Sequence, residues 1–76
     1  MEIDLVKREE ELSKKEMGDK IKDLRESHNL SQYSFAKKIG VSPSTIKRWE
    51  NCETTPRPSY LLKMCRIFKI MPNDLF

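Results

Sequence analysis

The stretch Ser31–Asn51, SQYSFAKKIGVSPSTIKRWEN, decides the fold of this 76-residue chain. Ser31 is a favourable helix N-cap, and Gly40 suits the left-handed residue that ends a helix about eight residues later. Between them, apolar residues recur at helical spacing: Phe35, Ala36 and Ile39. We expect Val41 to fill the angle of the turn that follows Gly40. The first half of the stretch therefore predicts a short helix and a tight turn.

The second half of the stretch predicts another helix. Ser42 can cap it, and Pro43 stands at the first helical position, where its missing N–H costs nothing. Ile46 and Trp49 are three residues apart, so both fall on the inward face. The outward face is then polar and basic: Ser44, Lys47 and Arg48. A base-stacking role in a single-strand binder is an alternative for Trp49, but its spacing from Ile46 favours the core.

Helices are also predicted on both sides of this unit. Asp19 can cap a helix that carries Ile21 and Leu24 and ends near His28 and Asn29. Pro58 can open a fourth helix through Phe68, and Pro72 opens a last turn that returns Leu75, with Phe76, to the core. The inward residues expected on the fourth helix are Leu61, Leu62, Cys65 and Phe68. With no convincing strand pattern, the expected fold is all-α, a compact globule of five short helices.

Residues 1–18 differ from the rest of the chain. Their acids and bases are spaced four apart with the acid leading, which favours helical ion pairs, but apolar residues are few. Gly18 weakens a continuous helix by about 1 kcal/mol relative to alanine. We therefore expect a charged N-terminal extension, 1–18, either helical or irregular, ahead of a domain at 19–76. Leu5 and Leu12 are seven residues apart, but one heptad is too little to indicate a coiled coil, and a solvated extension is favoured.

Charge is unevenly distributed along the chain. Residues 31–70 hold eight basic and two acidic side chains, a net charge of +6, whereas residues 1–30 hold seven basic and nine acidic ones, a net charge of −2. A basic body suggests a polyanionic partner, although a solvated lysine surface would give the same count.

Several functional classes are disfavoured. No apolar run approaches the ~18 residues of a membrane span, and the N-terminus lacks the order of a secretory signal, so we expect a cytoplasmic protein. Cys52, Cys65 and His28 do not form paired metal-ligand knuckles, so we expect no metal, no disulfide and two reduced thiols. No cluster of acid, base and nucleophile is present. We expect no enzyme, no cofactor and no small-molecule ligand.

From about Ile21 to Phe76 the sequence resembles the Cro/repressor-type (XRE-like) helix-turn-helix family of bacterial and phage transcriptional regulators. The matching positions, in order, are Leu24-Arg25, Leu30-Ser31-Gln32, Phe35-Ala36, Gly40-Val41-Ser42, Ser44-Thr45-Ile46, Trp49-Glu50-Asn51, Pro56 and Asn73-Asp74-Leu75-Phe76. The resemblance implies a five-helix, lambda-repressor-like DNA-binding domain with its helix-turn-helix motif at 32–51. It also implies binding to double-stranded DNA, as a homodimer, with a recognition helix at about 43–50 in the major groove.

The resemblance assigns roles to individual residues. Base-reading positions correspond to Pro43, Ser44, Lys47 and Arg48, although Lys47 could equally reach a phosphate. Backbone-contacting positions correspond to Gln32, Tyr33, Ser42, Thr45, Asn51, Thr54, Thr55 and Arg57. Arg25 and Glu50 correspond to a structural salt bridge between the first and third helices. The implied function is that of a transcriptional repressor. The alternative is an antitoxin-like or adaptor module that keeps the fold but binds another protein.

The sequence departs from the family at three positions. Cys52 stands where a left-handed glycine usually follows the third helix, so the loop after it is expected to be looser or differently shaped. Lys69 replaces a common glycine after the fourth helix. Ser34 replaces a usual glutamate, which removes the capping box with Ser31.

Overall fold

In the computed structural model, secondary structure is described for residues 5–75 and side chains for residues 15–75. Its elements are the helices α1 (Leu5–Ser27), α2 (Gln32–Ile39), α3 (Pro43–Glu50) and α4 (Pro58–Phe68), then a 3₁₀ turn (Pro72–Asp74). Residues 5–75 contain no strand. The all-α class is thus confirmed, with one correction: the fifth element is a three-residue 3₁₀ turn rather than an α-helix. Phe76 lies outside the described residues.

One apolar core joins all four helices and the chain after the 3₁₀ turn. Its buried members are Ile21, Leu24, Phe35, Ala36, Ile39, Ile46, Trp49, Leu61, Met64, Cys65 and Leu75. The expected inward residues of α2 and α3 are confirmed, and Val41 packs against the core at the turn between them.

On α4 the expectation was wrong at one position. Leu62 is 51% exposed, while Met64, which the sequence reading passed over, is fully buried. The buried stripe of α4 therefore runs through Leu61, Met64 and Cys65. These three residues stand three and four apart and lie within about 100° of the helix circumference, whereas Leu62 lies about 60° beyond that arc.

Helix α1 is longer than predicted. It continues through Gly18 and Asp19, so Asp19 is an exposed residue inside a 23-residue helix and not its N-cap. Gly18 is buried, and a tertiary contact described below offsets its poor helix propensity. The first side chain of α1 described as packing on the core is Met17. The division into an extension, 1–18, and a domain, 19–76, stays a prediction, because the side chains before Lys15 are not described.

Each of the four helices is followed by a left-handed residue. These are Asn29 (φ 55°), Gly40 (φ 89°), Cys52 (φ 64°) and Lys69 (φ 55°). In each case the next N–H returns to the carbonyl five residues back, at 3.1 Å (Leu30 to Arg25), 3.0 Å (Val41 to Ala36), 2.9 Å (Glu53 to Arg48) and 3.0 Å (Ile70 to Cys65). This is the Schellman arrangement, which satisfies carbonyls at a helix end.

The helix starts follow the predicted caps. Ser31 Oγ accepts a hydrogen bond from the N–H of Ser34 at 3.0 Å, and Ser42 Oγ accepts one from the N–H of Thr45 at 3.2 Å. Ser34 does forfeit the capping box, but its hydroxyl accepts a 3.1 Å hydrogen bond from Ser31 Oγ instead.

Candidate nucleic-acid interface

The outward face of α3 is formed as predicted. Ile46 and Trp49 are buried, at 0% and 4% exposure, which turns the other face of the helix to solvent. That face presents Pro43, Ser44, Lys47 and Arg48, all exposed. Two cations, one hydroxyl and one apolar ring therefore project from a short helix. A set of this kind can offer hydrogen bonds and charge to base edges.

The far end of α3 is held by an ion pair to α1. Arg25 Nε donates to Glu50 Oε2 at 2.7 Å, and Arg25 Nη2 donates to Glu50 Oε1 at 3.0 Å. The third guanidinium nitrogen, Nη1, donates to the carbonyl of Leu30 at 2.9 Å. The side chains are 13% and 4% exposed, so this bidentate pair is shielded from water. The predicted salt bridge is present and fixes the angle of α3 against α1.

The electrostatics of this pair favour the charged guanidinium. The hydrogen bond from Arg25 to Glu50 raises the pKa of Arg25 above its ordinary value, with a smaller opposing effect of burial. Arg25 is therefore a permanent cation in the folded protein. Glu50 is engaged by it, so this carboxylate offers no repulsion toward an approaching polyanion.

Gln32 adjoins the same pair. It is the first residue of α2 and is half-buried, and its Nε2 donates to Glu50 Oε1 at 3.4 Å. Its neighbour Tyr33 is 67% exposed and free to reach outward. The salt bridge thus also positions the start of α2 beside the end of α3.

The α3–α4 loop forms a second part of the surface. A groove of about 410 Å³ is lined by Thr45, Trp49, Thr54, Thr55, Pro56, Arg57 and Tyr60. It brings together four of the residues expected to contact the DNA backbone, from α3, the loop and the residue before α4. Asn51 is exposed at the end of α3 but does not line this groove. Ser42 is exposed at the start of α3, where its hydroxyl lies 2.9 Å from that of Thr45.

Tyr60 belongs to this surface and was missed from the sequence. Its ring lies 5.7 Å from the Trp49 ring, and it forms part of the floor of the groove. Its position could have been noticed in the sequence, because an aromatic residue in the first turn of the helix that Pro58 opens stands next to the loop.

The departure at Cys52 keeps the backbone conformation expected of the usual glycine. Cys52 adopts the left-handed conformation that a glycine would take, and its N–H donates to the Trp49 carbonyl at 3.2 Å. Glu53 and Thr54 then both donate to the carbonyl of Arg48. The helix-end hydrogen bonds are therefore made despite the strain at one residue, and a looser or differently shaped loop stays a prediction.

Gly18 was the second residue missed. A Cβ placed on it would lie 2.7 Å from the Trp49 carbonyl oxygen and 2.9 Å from Cys52 Sγ. The α1 backbone thus lies directly on the end of α3, a contact that only glycine permits. A glycine in a helical pattern was the signal, since such a residue often marks a close approach.

Other site chemistries find no support in the described residues. The side chains of residues 15–75 form no group of three or more potential metal ligands, and none of the helices within residues 5–75 combines the length and apolar character needed to cross a bilayer. Cys52 and Cys65 are free thiols.

A helix-turn-helix family model, HTH_3, matches residues 21–75, which is most of the chain and includes every element of this surface. The chain belongs to the helix-turn-helix family. The match confirms the resemblance to Cro/repressor-type regulators, a class of DNA-binding proteins and not of enzymes.

Individual relatives agree with this assignment. An uncharacterized helix-turn-helix transcriptional regulator of Methanocaldococcus jannaschii is 37% identical over 60 residues, which covers 79% of this chain and 91% of the relative. Repressor protein C2 of Salmonella phage P22 is 32% identical over 59 residues, covering 78% of this chain and 27% of the repressor. Antitoxin PezA of Streptococcus pneumoniae is 30% identical over 59 residues, covering 78% of this chain and 37% of the antitoxin.

A solved structure shares the fold. An HTH_3 family transcriptional regulator from Vibrio cholerae superposes with a TM-score of 0.77 at 25% identity, covering 88% of this chain and 38% of the other. This helix-turn-helix chain thus spans about a third of the pneumococcal antitoxin and of the Vibrio regulator. What it shares with those proteins is one domain.

Proposed function

We propose that this chain binds double-stranded DNA sequence-specifically as a transcriptional repressor, with α3 in the major groove. The observation that carries the proposal is the outward face of α3, on which Ser44, Lys47 and Arg48 project from a helix anchored by the Arg25–Glu50 pair. An α-helix fits the major groove, where each base pair presents a distinct pattern of donors and acceptors. A repressor acts where the DNA is, so the proposal implies a cytoplasmic protein.

Arg48 carries most of the readout. Its planar fork matches O6 and N7 of guanine, and one good pair is worth about 1–3 kcal/mol of discrimination. Ser44 can donate or accept, and Pro43 offers apolar contact to a thymine methyl. Lys47 reaches either a base or a phosphate. With one strongly informative side chain, the recognised half-site is short.

The surrounding residues position the helix on the duplex. Thr45, Thr54, Thr55 and Arg57 share one groove, which suits a sugar-phosphate backbone running past the start of α4. Four more residues lie around α3: Gln32 and Tyr33 at the start of α2, Ser42 just before α3 and Asn51 just after it. The exposed N–H groups at helix starts add sites for phosphate oxygens.

The active form is a homodimer. Modules of this kind read two half-sites about 34 Å apart, one on each copy, so that a palindromic site matches the two-fold axis of the protein. This doubles the number of base contacts available to a short reading helix.

A second candidate is an antitoxin-like or adaptor role, in which the main partner is a protein. The 30% identity to an antitoxin over 78% of this chain favours it. The two roles differ in what α3 does, because a chain that has turned wholly to protein binding needs no duplex readout.

Selection of bound fragments from a random duplex library tests the proposal. We expect a short, palindromic consensus whose half-site contains guanine, and affinity that falls steeply with salt. Arg48→Ala together with Ser44→Ala should abolish the preference for that consensus, while Lys22→Ala on the exposed face of α1 should leave it unchanged. Absence of binding to any duplex at low salt would refute the proposal and leave the protein-binding role.

A further inference from the structure

A second groove lies at the opposite end of α4 from the α3–α4 loop. It measures about 460 Å³ and is lined by His28, Leu30, Lys38, Ile67, Phe68 and Lys69. Its floor is apolar: the Phe68 ring stacks on Phe35 at 5.4 Å and contacts the His28 ring at 4.6 Å. Leu30 and Phe68 are half-buried, and Ile67 is 36% exposed. This C-terminal groove thus exposes aliphatic and aromatic surface to solvent.

The rim of the C-terminal groove is cationic. Lys38 on α2 and Lys69 after α4 both line it, and none of the described residues that line it is acidic. The groove therefore combines an apolar floor with a rim that carries lysines and no carboxylate.

The apolar floor and the cationic rim together favour one kind of anionic partner over another. A duplex backbone would satisfy the lysines but offers no apolar group to cover Ile67 and Phe68. A peptide with both carboxylates and aliphatic side chains satisfies both features. Residues 1–12 of this chain, MEIDLVKREEEL, are such a segment: five acids, two bases and four aliphatic residues besides Met1.

We propose that the C-terminal groove binds the N-terminal segment, residues 1–12, of a second copy of this chain. The segment cannot reach the groove of its own chain. Helix α1 runs from Leu5 to Ser27, about 33 Å at 1.5 Å per residue, and the groove begins at His28, just beyond its far end. Two copies with their α1 helices antiparallel exchange segments reciprocally, which closes the assembly as a two-fold dimer.

The interface is compatible with DNA binding. The two grooves lie at opposite ends of α4, because Arg57 before its first residue lines one and Phe68 at its last residue lines the other. The inference supplies an interface for the homodimer proposed above. Its test needs no DNA, so its failure and the failure of DNA readout are distinguishable.

A charge swap in the full-length chain tests the contact. One variant reverses the groove (Lys38→Glu with Lys69→Glu), and the other reverses the segment (Glu10→Lys with Glu11→Lys). Sedimentation equilibrium at low salt should show a wild-type dimer, and each variant alone should dimerise at least about tenfold more weakly, because attraction becomes repulsion. An equimolar mixture should recover heterodimers, since each reversed surface then meets its complement.

Far-UV circular dichroism confirms that each variant is folded, and a synthetic peptide of residues 1–12 gives a readout that does not depend on dimerisation of the full chain. The peptide should shift the NMR signals of Lys38, Ile67 and Lys69, and its Glu10→Lys, Glu11→Lys counterpart should not. A monomeric wild type, or a mixture that fails to recover dimers, overturns the inference. So does a groove variant that dimerises normally yet loses duplex affinity as severely as Arg48→Ala, because DNA would then occupy the groove.

Discussion

Cys52 shows how a strained residue is held by its neighbours. A side chain at φ 64° is disfavoured by about 1–2 kcal/mol, yet the helix-end hydrogen bonds of Cys52, Glu53 and Thr54 require this conformation. At the ends of α1 and α2, the N–H groups that donate back to the helix belong to Leu30 and Val41, whose apolar side chains also pack on the core. Glu53 cannot add such packing, so the end of α3 relies more on its hydrogen bonds.

Cys52→Gly should stabilise the protein by about 0.5–1 kcal/mol, because glycine adopts the left-handed conformation without the Cβ penalty. Urea denaturation monitored by Trp49 fluorescence measures the change. Cys52→Ala is the matched control: it keeps the strain and loses the Sγ contact, so its stability should be equal to or lower than that of the wild type. Equal effects of the two substitutions would show that strain at residue 52 is unimportant.

Gly18→Ala sets two effects of opposite sign against each other. Helix propensity favours alanine by about 1 kcal/mol, but the added Cβ meets the backbone carbonyl of Trp49 at 2.7 Å, and overpacking costs about 1–3 kcal/mol. We expect the clash to dominate and thermal unfolding to occur at a lower temperature. Lys15→Ala, at an exposed position of the same helix, should be nearly neutral. A stabilised Gly18→Ala variant would contradict the close approach.

At the scale of the element, α3 is restrained by α1 at two places. Gly18 lies on the Trp49 and Glu50 carbonyls, and Arg25, two turns further along α1, grips the Glu50 carboxylate. Both contacts concern the last turn of α3, while its first turn is held by the Ser42 cap. The direction of α3 is therefore set largely by where α1 lies.

Removing Arg25 should be costly. Arg25→Ala leaves the Glu50 carboxylate, whose side chain is 4% exposed, without its partner, and breaking a buried pair costs about 3–5 kcal/mol. Glu50→Gln combined with Arg25→Ala should be less damaging than Arg25→Ala alone, because no unpaired charge then remains. A double-mutant cycle by urea denaturation measures this coupling, and strictly additive effects would argue against it.

The pH dependence of the same ion pair follows from the direction in which the pKa of Arg25 is shifted. Because the pKa of Arg25 is raised on folding, its stabilising effect is complete from neutral pH up to the ordinary arginine value. That contribution disappears only as the pH rises through the raised value. Moderately alkaline buffers should therefore not weaken the pair.

At the scale of the whole molecule, the proposed function assigns positioning on the duplex and readout of its sequence to different residues. Arg57 is proposed to contact the DNA backbone, so Arg57→Ala should weaken binding to all duplexes about equally and reduce the slope of log affinity against log salt by about 1. Arg48→Ala should instead relax sequence preference at one base pair. Fluorescence anisotropy with consensus and scrambled duplexes over a salt series separates the two. A sequence-dependent effect of Arg57→Ala would place it at a base edge.

How much of this structure the sequence predicts depends on how far apart along the chain the residues lie whose contact determines each feature. The faces of α2 and α3 follow from apolar spacing within one helix, and Ser31, Gly40 and Ser42 mark their ends locally. The length of α1 does not follow from local spacing. Gly18 lowers the helix propensity locally, but the contact that compensates for it is with Trp49, far along the chain. Leu61 and Leu62 are adjacent and equally apolar, and Leu61 is distinguished only when Met64 is counted in the same stripe as Cys65 and Phe68.

The outward side chains of α3 take no part in holding the domain together. Ser44, Lys47 and Arg48 are exposed, and α3 keeps its place through Ile46, Trp49 and Glu50, which lie on the other side of the same helix. The three outward positions can therefore be exchanged as a set with little change in folding stability. Under the proposed function, we expect that versions of this chain with other residues at those positions recognise new operators, without any compensating change in the scaffold.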